Sequence, residues 1–296
     1  MSETLPATLP APVTPAQQQH ILNIIRRAAR TEILPRFRSL AASDVRTKSH
    51  ADDLVTTADL AAEAMITRAL QIAFPSALII GEEAVASDPA LLDQIADAPL
   101  AFIFDPIDGT WNFTHGVAVF GVILAVTQFG RPAFGLIYDP IADDWAVADD
   151  ENPAVLERAN GTSRPLKAAM GKPIEALSGF VPLHMFSKAR QAEIATVLPS
   201  FKRTHPLRCS AHEYRMIAQG YTDFLMTASL HPWDHAAGAL ICEQAGCHVE
   251  MLDGGPYSAA RHEGHLLVAP DRTTWNRLAK VFGFLMGQGA AGSAPT

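Results

Sequence analysis

The chain has 296 residues, enough for two packed subdomains, and 48% of them are hydrophobic, enough for a large core. Charged residues make up 18%, which excludes a disordered polyelectrolyte, and 31 acidic against 23 basic residues leave a net charge of −8, which argues against direct nucleic-acid binding. The same negative balance would repel a phosphate ester unless cations stand between it and the protein.

Residues 1–15 have neither the basic nor the apolar region of a signal peptide. Four prolines mark residues 1–16 as a flexible tail, and the small residues of 286–296 mark another. No apolar run reaches the length of a membrane span. Cys209, Cys242 and Cys247 form no even disulfide framework, so a reducing, cytoplasmic setting is the simpler expectation.

In chain order, apolar residues at helical spacing predict helices over 17–38 and 58–73, the second stopped by Pro75. Short buried strands follow at 78–80, ending in Gly81-Glu82-Glu83, and at 100–104, ending in Asp105-Pro106. Segments 117–127 and 133–138 read as a hairpin around Gly130, with 145–148 continuing an antiparallel sheet. Around 161–172 the texture becomes polar, so we divide the chain into an α+β part, 17–165, and an α/β part, 166–285. In the second part strands at 177–181, 203–207, 223–227, 248–251 and 266–269 are interspersed with helices at 188–198, 211–218, 235–245 and 272–285.

The informative carboxylates stand where strands stop. Glu82 and Asp105 each follow a buried strand, where layered α/β folds place functional groups. Asp108 follows Asp105 through Pro106-Ile107, a stiff turn that can aim both carboxylates at one point, although Asp-Pro-x-Asp-Gly is also an ordinary turn. Gly109 and Thr110 add a backbone that can approach an anion and a hydroxyl that can position water. Oxygen ligands clustered without Cys or His favour Mg²⁺ over zinc. Asp234, before His235-Ala236-Ala237-Gly238, is expected as a helix N-cap, with small residues behind it that permit close packing.

Asp105-Pro106-Ile107-Asp108-Gly109-Thr110-Trp111-Asn112-Phe113, preceded by Gly81-Glu82-Glu83 and followed by Trp233-Asp234-His235-Ala236-Ala237-Gly238, resembles the inositol monophosphatase family of Mg²⁺-dependent, lithium-sensitive phosphatases. Lys48, Asp53-Leu54-Val55-Thr56 and Asp59 match its upstream motif, and the resemblance spans about residues 17–285. It implies a layered αβαβα fold, a homodimer and two to three Mg²⁺ per subunit. Glu82, Asp105 and the Ile107 carbonyl would hold one ion; Asp105, Asp108 and Asp234 a second; a weaker third would lie near Glu82. The resemblance makes Asp59, Thr110 and Glu82 catalytic, the first two through the attacking water. The Asp108-Gly109-Thr110 backbone would cradle the phosphate, with Asp234 beside the substrate.

Two departures touch the alcohol half of the substrate. The family's Gly-Ser/Thr-Ala-Ala segment reads Arg208-Cys209-Ser210-Ala211 here, and a glutamate that meets inositol hydroxyls in many members falls at Thr227. Arg208 and Arg215 are candidates for a second anionic group, though both also suit a plain helix or surface role. Cys242, Cys247 and His248 have the wrong spacing for zinc, and His115, His231 and His235 read first as hydrogen-bonding structural histidines. The leading expectation is a phosphomonoesterase for inositol monophosphate or a related small polyol or sugar phosphate. Histidinol phosphate, fructose 1,6-bisphosphate and 3′-phosphoadenosine nucleotides are alternatives on the same scaffold, and a transcription-machinery-associated binding protein is the non-enzymatic one.

Overall fold

The computed structural model describes residues 11–48 and 52–286, so most of both expected tails lies outside the described residues. The first tail nevertheless ends sooner than expected. Thr14 caps helix α1 (Pro15–Ala28) in a reciprocal box with Gln17, and Val13 is buried. The helix expected over 17–38 stays α-helical only to Ala28; it continues as a π turn, Ala29–Ile33, and a 3-10 turn, Leu34–Arg36. Pro35 has no N–H to sustain the helical ladder.

The chain then runs through β1 (Val45–Thr47), β2 (Leu54–Thr56), α2 (Thr57–Ala73), β3 (Leu78–Gly81), α3 (Glu82–Ser87), β4 (Ala101–Asp108) and α4 (Thr110–Thr114). Strands β5 (Gly121–Gln128), β6 (Arg131–Asp139), β7 (Asp144–Asp149), β8 (Val155–Arg158) and β9 (Ser163–Pro165) follow. The rest is β10 (Ser178–Phe180), α5 (Lys188–Val197), β11 (Arg203–Thr204), α6 (Ser210–Ala218), β12 (Phe224–Met226), α7 (Pro232–Gln244), β13 (His248–Met251), β14 (Leu266–Ala269) and α8 (Arg272–Phe282).

Five layers result. Strands β3 to β9 form one sheet in chain order, parallel only between β3 and β4. Alternation along its strands divides two cores: Phe102, Phe104, Leu124 and Leu136 pack under α1 and α2, whereas Ile103, Ile123, Ala125 and Ile137 meet α6 and α7. The second sheet, ordered β11-β10-β12-β14-β13, is mixed. Its Phe180, Leu225 and Val268 close on the α6–α7 layer, and Phe224, Met226 and Leu267 pack with α8 residues Trp275, Leu278 and Phe282. The expected αβαβα sandwich is therefore the observed one.

Strand β9 falls inside the stretch expected as a polar connection. Its three residues are exposed and show no periodicity, so only pairing with β8 makes it a strand. The small residues of α7 do permit close approach: a side chain at Gly135 of β6 would overlap the Ala237 backbone, and one at Gly238 would overlap the Tyr214 ring. No described helix is long and apolar enough to cross a membrane.

Candidate active site

Strand β4 is buried along its whole length, and its ladder with β5 shifts register between Asp105 and Asp108. In an unbroken strand residues three apart face opposite sides of the sheet. The irregularity at Pro106-Ile107 lets both carboxylates reach one place. Asp234 arrives from the first turn of α7, and oxygens of Asp105, Asp108 and Asp234 lie within 4.8 Å of one another. Asp234 is not the N-cap expected from the sequence: Pro232 occupies the first helical position and His231 precedes it, so Asp234 is the third residue of the first turn. An acid there still favours the positive end of the helix dipole.

Glu82 opens α3 directly after β3. Lys48 Nζ donates to Glu82 Oε1 at 2.6 Å and to Glu83 Oε1 at 2.9 Å, so Lys48 belongs to the site rather than to a solvated surface. Thr110 Oγ1 lies 3.0 Å from the Ile107 carbonyl oxygen and 3.3 Å from Asp59 Oδ1. Asp59 in turn accepts from the Thr56 N–H and hydroxyl, because Thr56 caps α2 and Asp59 stands at its third position. Gly109 joins β4 to α4 at φ +88°, and a Cβ there would press on the Val119 carbonyl and Cys209.

The electrostatics are those of carboxylates waiting for positive charge. Burial raises Asp105 well above the usual carboxylate range, and Glu82, Asp108 and Asp234 add repulsion. Burial and Asp234 push Asp108 up to about 7, against the Ala211 N–H and the Cys209 thiol, which donate to it. Burial brings Asp59 to about 7 despite its Thr56 bonds. Burial also raises Glu82, with Lys48 opposing and Asp234 assisting. A donor set of largely buried, mutually repelling carboxylate oxygens fits a hard divalent cation.

A model of the inositol monophosphatase family matches residues 17–284. The chain belongs to the inositol monophosphatase family. Among relatives it is 29% identical to an inositol-1-monophosphatase of Bacillus subtilis, over 76% of this chain and 82% of that one. It is 32% identical to the Nus factor SuhB of Pseudomonas aeruginosa, over 80% and 87%. In fold it is similar to an IMPase of Thermotoga maritima, with a TM-score of 0.75 at 22% identity, covering 92% of this chain and 98% of the other.

Around the family's acidic cluster, the two divergent segments fare differently. Cys209 is buried with Sγ 3.0 Å from Asp108 Oδ2, and the Ala211 N–H donates to the same oxygen at 2.6 Å. The 208–211 segment thus adjoins the cluster through its backbone and thiol, with Ser210 opening α6. Thr227 is 3% exposed; its hydroxyl accepts the Leu266 N–H at 2.8 Å, and its own N–H donates to the Leu266 carbonyl. Its hydroxyl therefore bonds at the junction of two strands. Arg215 is likewise structural: buried, it bonds Asp144 and the Ile137 carbonyl.

The histidines divide too. His115 stacks on Trp111 and contacts its carbonyl oxygen, and His235 is buried with Nδ1 3.1 Å from the Tyr214 hydroxyl. His231 Nδ1 stands 3.5 Å from Asp234 Oδ2, at the rim of the cluster. Cys242 and Cys247 are buried thiols, and His248 Nε2 lies 3.0 Å from Glu250 Oε2.

Three supporting residues escaped sequence reasoning. Glu63 accepts the Glu83 and Ala84 N–H groups at 2.8 Å each, holding the start of α3 and with it Glu82. Glu213 accepts the Leu207 N–H at 2.6 Å, and Asn112 Nδ2 donates to the Val119, Leu207 and Arg208 carbonyls. The Asp59-x-x-x-Glu63 spacing, one helical turn, was the available signal for Glu63; the other two roles depend on loop geometry.

Proposed function

We propose that this protein is a Mg²⁺-dependent phosphomonoesterase acting on small polyol or sugar phosphates. The observation that carries the reading is the convergence of Asp105, Asp108 and Asp234 from two elements, beside a Thr110–Asp59 contact. Glu82, Asp105 and the Ile107 carbonyl would hold one cation, and Asp105, Asp108 and Asp234 another. A weaker ion near Glu82 would have to displace Lys48. Bound cations would neutralise the phosphate, polarise its phosphorus and make water acidic enough to attack near neutral pH.

The chain's own groups supply the rest. Thr110 and Asp59 would orient the attacking water, with the Asp59 carboxylate as the acceptor of its proton. The positive-φ turn at Gly109 brings main-chain N–H groups toward the phosphate. Homodimerisation and lithium sensitivity belong to the same reading. Phosphate release from a panel of monoesters, with Mg²⁺ and after exhaustive chelation, tests it; full turnover without metal overturns it.

A second reading has one specific support: several relatives near 30% identity are named Nus factors. Salt-sensitive association with transcription machinery, with no turnover of any ester, would favour it.

A further inference from the structure

Arg208 combines three features that a plain surface arginine does not need. Its backbone is left-handed, at φ +56°, a conformation unfavourable for most residues other than glycine. Its guanidinium carbon lies 4.3 Å over the Trp111 ring, next in sequence to Thr110. Its carbonyl is tied to Asn112 Nδ2, and the following residue, Cys209, touches Asp108. The left-handed backbone, the cation–π contact and the tethered carbonyl together hold the guanidinium over Trp111, the neighbour of Thr110, while the next residue, Cys209, touches Asp108 of the carboxylate cluster.

The other candidate cations are engaged elsewhere. Lys48 is bound by Glu82 and Glu83, and Arg215 is buried on Asp144. Arg208 has an ion pair with Asp52, but it is long, 3.6 Å, and the Asp52 side chain is 57% exposed, so exchange for another anion costs little. Stacking on an aromatic face occupies the guanidinium plane and leaves its in-plane N–H donors directed outward, where they suit the fork of a carboxylate or phosphate.

We infer that Arg208 is a specificity-determining residue that selects phosphomonoesters carrying a second anionic group, a phosphate or a carboxylate, on the alcohol. This rests on the phosphatase reading above and deepens it. The scissile phosphate is held by the acidic cluster and its cations, and the second anion meets the stacked guanidinium. A neutral polyol phosphate has nothing to offer Arg208, and an alcohol bearing an ammonium group is disfavoured by it.

The test compares the wild type with Arg208→Gly and Arg208→Lys on four Mg²⁺-supported substrates: fructose 1,6-bisphosphate, 3-phosphoglycerate, inositol 1-phosphate and histidinol phosphate. Glycine suits the left-handed backbone, so this variant removes the cation without adding strain. The wild type is expected to prefer the two doubly anionic esters. Arg208→Gly should lower kcat/KM for them by about 10- to 100-fold, mainly through KM, with changes within about threefold for the other two. Arg208→Lys should recover part of the loss, because it restores charge without the planar fork. The bisphosphate and the carboxylate arms separate the two kinds of second anion. Equal losses on all four substrates would make Arg208 structural, and an unchanged ranking would remove it from substrate choice; either overturns the inference while the phosphatase reading stands. Absence of turnover on every ester would overturn both.

Discussion

Lys48 Nζ sits 2.6 Å from Glu82 Oε1, so an ammonium already rests on a carboxylate expected to serve a metal ion. Burial opposes the charge on Lys48, yet Glu82 and Glu83 outweigh it and raise its pKa above the ordinary lysine value. The pair acts as an internal counterion for the acidic cluster. Lys48→Ala should therefore destabilise the metal-free protein by about 1–3 kcal/mol, less than a fully buried pair would. Mg²⁺ should restore most of the loss, and thermal melts with and without Mg²⁺ check this. A loss that Mg²⁺ leaves untouched would show that Lys48 supports the fold independently of the cluster.

The carboxylates themselves set a pH dependence. Asp59 and Asp108 reach about 7 and Glu213 about 8, each first through burial. Their folded pKa values lie above the unfolded ones, so the folded protein binds more protons. Their stability contribution is complete below the unfolded pKa, about 4, and is lost as pH rises toward the folded values. From pH 7 to 8, where ordinary histidines are mostly neutral, the Tm in chelator should fall. A bound cation replaces those protons, so the Tm gain from Mg²⁺ should be larger at pH 8 than at pH 6. A gain that is the same at both pH values would contradict this account.

Asp234 is in the first turn of α7 and is not its cap, and this changes what its substitution reports. Asp234→Asn removes a negative charge from a cluster already crowded with them. The metal-free Tm should hold or rise, since the helix-dipole term lost is only about 0.3–1 kcal/mol. Turnover should fall by more than about a hundredfold and the Mg²⁺-induced Tm shift should shrink. An unchanged Mg²⁺ shift would exclude Asp234 as a ligand.

Thr110 and Thr227 separate chemistry from architecture. Thr110→Ala removes the hydroxyl between Ile107 and Asp59 and should lower kcat on every ester alike, because the attack on phosphorus is common to all. Thr227→Val leaves the Leu266 N–H without its acceptor and should cost about 1–3 kcal/mol of stability while preserving substrate ranking. A changed ranking in folded Thr227→Val would return this residue to the substrate pocket.

The layered architecture was legible because apolar periodicity in α1, α2 and β4–β6 is strong, and the motif carboxylates were legible because each abuts a buried strand or helix start. Strand β9 was not, since pairing rather than side chains defines it. The Thr227 bond to Leu266 was not legible either, because a threonine ending a strand looks the same in sequence whether its hydroxyl meets substrate or a neighbouring N–H. Glu63 and Asn112 bond to backbone groups far along the chain and Glu213 to an N–H in the irregular segment before its own helix, and spacing alone carries no trace of such bonds.

The Glu63 carboxylate fills the volume where a Cβ on Gly81 would stand, and two N–H bonds from α3 keep it there. The two positions are thus coupled in the order in which they can change. A lineage that first enlarged Gly81 would evict the carboxylate and unmoor the start of α3, whereas one that first shortened Glu63 would open the room for a larger residue. Drift between distant members should pass through the second route, so any substituted Gly81 is expected to travel with a shortened or lost Glu63.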